Sequence, residues 1–355
     1  MVVGQVYFSS SGQTTANSSY GIADELDISL SNIPAPLAGK GYYAWLINDT
    51  STEGSALLLG QLMVSQGAVR FHYGGDQQHR DLLGAADRLL ITEENTTPPP
   101  IVPTLDTGMW RYVAAFSLTP NPSNTVPHYS EMDHLRHLLA ADTALDKMGL
   151  PGGLNIWLFR DMQQIYAWAG SARDNWAAQN SELIRTQVID ILDYLDGPTF
   201  VQQDVPPGTP LLADPRIAAA PLLEFDTLRQ QPPGLLYHIG LHLQGLIESP
   251  GATRQQQQLA VQIDNALGQV QILLQQVRRD ARQLAAMSDT QLTQPQALSL
   301  LNDLDNQAQN AFVGQLAEAT GTIQGGVTQI YYAILRLATL DVTAITVNGQ
   351  GCPCG

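Results

Sequence analysis

Two hydrophobic periods divide the chain. Between residues 22 and 118 apolar side chains recur in short runs with a period of two. "LDISL" places Leu26, Ile28 and Leu30 on one face and Asp27 and Ser29 on the other. "AVRFHY" sets Val69, Phe71 and Tyr73 opposite Arg70 and His72. "YYAWLI", "ALLLGQLMV", "DRLLITEE" and "MWRYVAAFSL" supply further strands, separated by "NIPAPLAGKG" and other stretches rich in Pro and Gly. Runs of this length without intervening helices predict a small antiparallel β-sandwich.

From residue 130 the period changes to 3.6. Residues 119–129 contain Pro120, Pro122 and Pro127 and read as a linker. A first helix opens at Ser130 and carries Leu135, Leu138, Ala141, Leu145 and Met148 on one face. A second carries the stripe Leu154, Leu158, Met162, Ile165, Ala169, Ala172 and Trp176. A third starts near Asn180 and stops at Gly197-Pro198. Residues 198–233 hold eight prolines and predict a long loop that is functional or wraps the bundle. The fourth helix is "PGLLYHIGLHLQGLIES". The fifth, from about Thr253 to Met287, repeats Ala260, Ile263, Leu267, Val270, Leu274, Val277, Ala281 and Leu284 at alternating spacings of three and four. Helices near 294–316 and 325–340 complete the set. The expected fold class is therefore multidomain β + α: an antiparallel sandwich over 22–118, a linker over 119–129, and an all-α antiparallel helical bundle over 130–345. Residues 1–21 read as a flexible Ser/Thr/Asn-rich stretch with an apolar stub, the form of a trimmed anchor or signal remnant. Residues 346–355 read as a flexible tail.

Composition narrows the function classes. Across 355 residues, 33 acidic side chains against 17 basic ones give a net charge of -16, which repels phosphate backbones and argues against nucleic acid as a partner. Both cysteines, Cys352 and Cys354, lie in the terminal "GCPCG", so neither domain is disulfide-stapled. A redox pair, a metal-binding scrap, an intermolecular tether and an untidy tail all remain open for this Cys-Pro-Cys. No run of 18 apolar residues occurs.

The segments "LSNIPAPLAGKGYYAWLIND", "LLLGQLMVSQGAVRFHY" and "AADRLLITEEN" resemble the extracytoplasmic domain of RskA-type anti-sigma-K factors. Tyr42, Trp45, Leu46 and Ile47 match one strand motif of that family; Ala86, Leu89, Ile91, Thr92 and Glu94 match another. The chain departs from the family after this point, continuing as "NTTPPPIVPTLD", and contains neither the sigma-binding module nor a membrane helix. The resemblance implies an extracytoplasmic location (secreted, periplasmic or cell-surface), with membrane anchoring, if any, upstream of residue 1. It does not imply sigma-factor binding, since one sandwich serves many roles.

The chemistry-bearing residues are few. Glycine-x-serine-x-glycine, P-loop and His-Glu-x-x-His signatures are all absent. His134 and His137 share a face of the first helix; His238 and His242, one turn apart, share a face of the fourth. Four imidazoles from two helices could close a Zn or Cu site, with Asp133, Glu131, Glu224 and Asp226 as nearby oxygens. Nothing in the spacing brings helices one and four together, so the expectation is two separate pairs, each a hydrogen-bonding rim, and no cofactor. Trp157, Trp168 and Trp176 share the second helix, as core or as a ligand groove. The expected function is non-enzymatic: binding, docking or assembly with a protein partner or with itself. The alternatives are a metal-binding bundle and the sensor ectodomain of an anti-sigma-factor-like membrane protein.

Overall fold

The structure is a computed structural model and describes residues 1–13, 18–48, 56–122, 128–223, 234–317 and 322–345. It divides into two compact units. The first comprises residues 1–15, 19–133 and 338–355; the second comprises 16–18 and 134–337.

The first unit is built on strands β1 (Val2–Ser9), β2 (Glu25–Ser31), β3 (Lys40–Ile47), β4 (Ala56–Leu62), β5 (Val64–Ser65), β6 (Ala68–Tyr73), β7 (Arg88–Asn95) and β8 (Trp110–Ala115). Two short strands, β9 (Gln315–Ala317) and β10 (Thr322–Gln324), pair with each other in the second unit, and the last strand, β11 (Thr339–Ala344), returns to the first. Nine strands form one antiparallel sheet in the order β4-β3-β7-β8-β11-β1-β2-β6-β5. The two outermost strands, β4 and β5, are separated in sequence only by Met63. A Cβ on Gly60 of β4 would also lie 3.1 Å from the Phe71 ring of β6. The sheet therefore curls until its ends meet, and the unit is nearly barrel-shaped. Its interior is lined by the period-two positions Leu26, Ile28, Leu30, Ala44, Leu89 and Ile91. On the other face Tyr43, Trp45 and Leu90 form a second cluster, and the Trp45 Nε1–H donates to Thr92 Oγ1 at 2.9 Å.

Two expectations are corrected here. Residues 2–9 are a strand with Val3, Val6 and Phe8 buried, not part of a flexible stretch. The register slips between Val2 and Gly4, so two inward residues stand three apart and strict alternation is lost. Gly4 is needed there: a Cβ would fall 2.1 Å from the Ser29 carbonyl oxygen of β2. Residues 339–344, expected to finish the last helix and the bundle, form β11 between β1 and β8 and bury Leu340 and Val342. "TLDVTA" combines β-branched residues with alternation, and this outweighs the helical period before it.

The helices are α1 (Leu82–Ala85), in the first unit, α2 (Glu131–Leu139), α3 (Thr143–Lys147), α4 (Leu154–Ala177), α5 (Ser181–Asp196), α6 (Pro198–Val201), α7 (Pro215–Ala218), α8 (Leu235–Glu248), α9 (Arg254–Ala285), α10 (Asp289–Leu292), α11 (Pro295–Val313) and α12 (Val327–Leu337). The long α9 is the axis of the bundle. It opens on a capping box made by Thr253 and Gln256, and every residue of its alternating seam is buried. It packs against α5, α8, α11 and α12, and α4 packs against the same four helices. Arg278 on α9 reaches the buried carboxylate of Asp196 on α5 at 2.6 Å.

A chain truncated after Leu337 loses β11 and leaves β1 and β8 without the strand that joins them. The truncated protein should lose the β component of its far-ultraviolet circular dichroism and aggregate through the exposed edges. Unchanged β signal and solubility would contradict this topology.

Candidate metal centre

The expected first helix is interrupted, and the interruption builds the site. α2 ends at Leu139, and Asp142 restarts the chain as the N-cap of α3. Its Oδ1 accepts from the backbone N–H of Ala144 at 2.9 Å and of Leu145 at 3.1 Å. That leaves Oδ2 for the site. His137 Nδ1, in the last turn of α2, donates to Asp142 Oδ2 at 2.7 Å. The carboxylate is 1% exposed.

The other half comes from α8. Its first backbone N–H groups are not left to solvent: Leu235 N–H donates to the Pro221 carbonyl and Leu236 N–H to that of Leu222. Leu222 and Leu223 in turn donate to the Tyr194 and Leu195 carbonyls at the end of α5. The described part of the proline-rich segment thus fixes where α8 begins. One turn further on, His238 and His242 face the same way. His238 Nε2 lies 3.2 Å from His242 Nε2 and 3.6 Å from Asp142 Oδ2.

The two histidine pairs, expected to be separate, converge on His242. His134 Nδ1 stands 3.0 Å from His242 Nδ1, with ring centroids 5.3 Å apart. His137 stacks on His242 at 4.6 Å with planes 19° apart, and His238 is 5.0 Å away. The close approach depends on one glycine. A Cβ on Gly245, three residues after His242 on α8, would lie 2.1 Å from His134 Cε1. Only a residue with no side chain lets the His134 ring occupy that place.

Burial and neighbours set the protonation states. His242, 3% exposed, is held well below the ordinary histidine range by desolvation first, then by the imidazoles of His137, His238 and His134. Desolvation also lowers His238, against the pull of Asp142. For Asp142 burial acts upward, but the hydrogen bond from His137 and the electrostatic attraction of the His238 ring outweigh it, and its carboxyl is pulled down to about 2. The centre therefore offers an ionised carboxylate beside two imidazoles, His238 and His242, that burial holds toward the neutral form, the state in which such groups ligate metals. His137, Asp142 and His242 each present a ligand atom within 4.8 Å of the other two, so this cluster could hold a metal ion.

The remaining candidates are placed elsewhere. Asp133, one of the expected nearby oxygens, accepts from Ser130 N and Oγ at 2.9 and 2.7 Å and so caps α2. Glu131 accepts from the Ser117 N–H. Glu224, Asp226, Cys352 and Cys354 lie outside the described residues. The three tryptophans are used separately. The Trp157 Nε1–H donates to the Pro151 carbonyl, Trp168 meets Tyr194 edge-on at 4.8 Å, and the Trp176 Nε1–H donates to the Gln294 carbonyl. The residue that sequence reasoning missed is Asp142. Its signal was present as Asp142-Thr143, a cap at the head of a new helix. No family model, curated protein or solved structure matches this chain.

Two outcomes follow from the packing and the charge states. Gly245→Ala should destabilise the protein by about 1–3 kcal/mol through overpacking against His134. Gly240→Ala, whose Cβ would have 3.5 Å to the nearest atom, Asp264 Oδ1, should cost nothing or gain up to about 1 kcal/mol from helix propensity. Equal effects in chemical denaturation would refute the close approach.

A histidine whose folded pKa is depressed contributes stability above its unfolded value, near 6.5, and loses it as pH falls through that value, because the unfolded chain binds the proton first. Asp190 and Asp193, raised to about 6 by burial, act in the opposite sense, so the whole-protein pH profile mixes the two. The comparison of His242→Asn with the parent cancels the aspartates. The variant's stability relative to the parent should rise between pH 7.5 and 5.5, and a pH-independent difference would contradict the buried neutral imidazole.

Proposed function

We propose that the helical unit is a metal-binding module that takes one divalent transition-metal ion, zinc or copper, at the histidine–aspartate centre, without catalysing a reaction. The observation that carries this is the buried His137–Asp142–His242 cluster, whose ligand atoms all lie within 4.8 Å of one another. Zinc–nitrogen bonds are about 2.0–2.1 Å, so two nitrogens on one tetrahedral ion stand about 3.3 Å apart. The 3.2 Å between His238 Nε2 and His242 Nε2 and the 3.6 Å between His238 Nε2 and Asp142 Oδ2 match that edge. Imidazole donors suit zinc and copper, and the carboxylate offsets half of a dipositive charge in a buried place. His137 and His242 are close to parallel, so closing on an ion requires one of these rings to tilt.

A second reading concerns the β unit. The segments that resemble the anti-sigma-K ectodomain, Tyr42–Ile47 and Ala86–Glu94, contribute β3 and β7, which pair directly in register from Lys40↔Asn95 to Ile47↔Arg88. This supports an extracytoplasmic docking or display module for a protein partner, whether its sheet is counted as a curled sandwich or as a nearly closed barrel. Fractionation of cells producing the natural gene checks the location; a purely cytoplasmic protein would remove this reading.

Metal analysis of the purified full chain after dialysis should give about one equivalent of bound zinc or copper. Asp142→Asn and His242→Ala should each lower it to background while the far-ultraviolet spectrum is kept. Retention should fall below about pH 6, where imidazoles take up protons in competition with the metal. A parent protein with no bound metal and no affinity for added zinc or copper overturns the proposal.

A further inference from the structure

We infer that the four histidines are not equivalent: His137, His238 and His242 join Asp142 as ligands, and His134 is a positioning residue that fixes the tautomer and orientation of His242. The inference rests on the metal-binding reading above and assigns the work within that site. The two nitrogens of one imidazole point away from each other, so a single ion can take only one of them. His242 presents Nε2 to His238 Nε2, 3.2 Å away, and presents Nδ1 to His134 Nδ1, 3.0 Å away.

The two sides differ in what they offer. Beyond Nε2 stand His238 and, 3.6 Å from it, Asp142 Oδ2, which is itself 2.7 Å from His137 Nδ1; to ligate through Nδ1, His137 would move its proton from that nitrogen to Nε2. Beyond Nδ1 stands the His134 ring, seated against Gly245. An ion needs the carboxylate and the larger donor set, so it goes to the Nε2 side. The His242 proton is then confined to Nδ1, where it donates to His134 Nδ1. A neutral imidazole has one donor and one acceptor, so His134 in turn carries its own proton on Nε2. Orientation of a metal-binding imidazole through a hydrogen bond to its second nitrogen is a general feature of such sites, and losing it costs about 10–100-fold in metal affinity.

Cobalt(II) titration of the full chain, followed by ligand-field absorption, separates a ligand from a positioning residue. His134→Ala should keep the parent's band shape and its one-to-one stoichiometry while binding about 10–100-fold more weakly. His134→Asn places an amide oxygen near the lost Nδ1 and should recover most of that affinity. His238→Ala and His242→Ala should change or abolish the bands. Circular dichroism confirms that each variant is folded. If His134→Ala loses the bands as His242→Ala does, His134 is a ligand and the inference falls. If His134→Ala binds as tightly as the parent, the positioning role falls. If the parent shows no cobalt bands at all, the metal-binding reading itself fails and takes this inference with it.

Discussion

The centre depends on how one carboxylate is divided. Asp142 Oδ1 is engaged by two backbone N–H groups that begin α3, and Oδ2 is left for His137 and His238. The same side chain therefore starts α3 and supplies a negative charge to the histidine cluster. Its burial would be costly if it were unpaired. Here two backbone donors and the His137 imidazole hold it ionised, with its pKa drawn down to about 2. Beside that fixed anion burial holds His238 and His242 toward the neutral form, and His242 sits beneath His137 with little exposure.

The scaffold supports this division at each step. α8 can begin at Leu235 because carbonyls of Pro221 and Leu222 receive its first donors, and Leu222 and Leu223 are themselves hydrogen-bonded to the end of α5. The buried seam of α9 then holds α8, α5, α11 and α12 on one axis. Gly245 gives the His134 ring its place, although glycine inside a helix costs about 1 kcal/mol relative to alanine. In the β unit the same economy appears as a bulge: Gly4 lets β1 lie close on β2, and β11 fills the gap between β1 and β8.

Periodicity made most of this legible. The strands that alternate, such as β2 and β6, and the α9 seam can be read directly from residue spacing. β1 could not, because its bulge sets Val3 and Val6 out of phase and hides the period of two. β11 could not, because it follows α12 without a break and pairs with strands more than 200 residues away. The four histidines were readable as two helix-face pairs, but their convergence is a matter of which helices touch, and spacing within a helix carries no information about that. Asp142 was hidden by a run of apolar positions, Leu138, Ala141 and Leu145, that keeps a helical period across the point where the helix stops. A capping aspartate outweighs that period because it satisfies two backbone donors at once.

X-ray absorption spectroscopy of the zinc-loaded full chain tests the central claim most directly, because it reports which atoms hold the metal. The account predicts a shell of nitrogen and oxygen ligands at about 2.0–2.1 Å, with the outer-shell scattering of imidazole rings and no sulfur. A zinc–sulfur shell at about 2.3 Å would place the metal on Cys352 and Cys354 of the terminal Cys-Pro-Cys and contradict a centre built on Asp142 and the histidines.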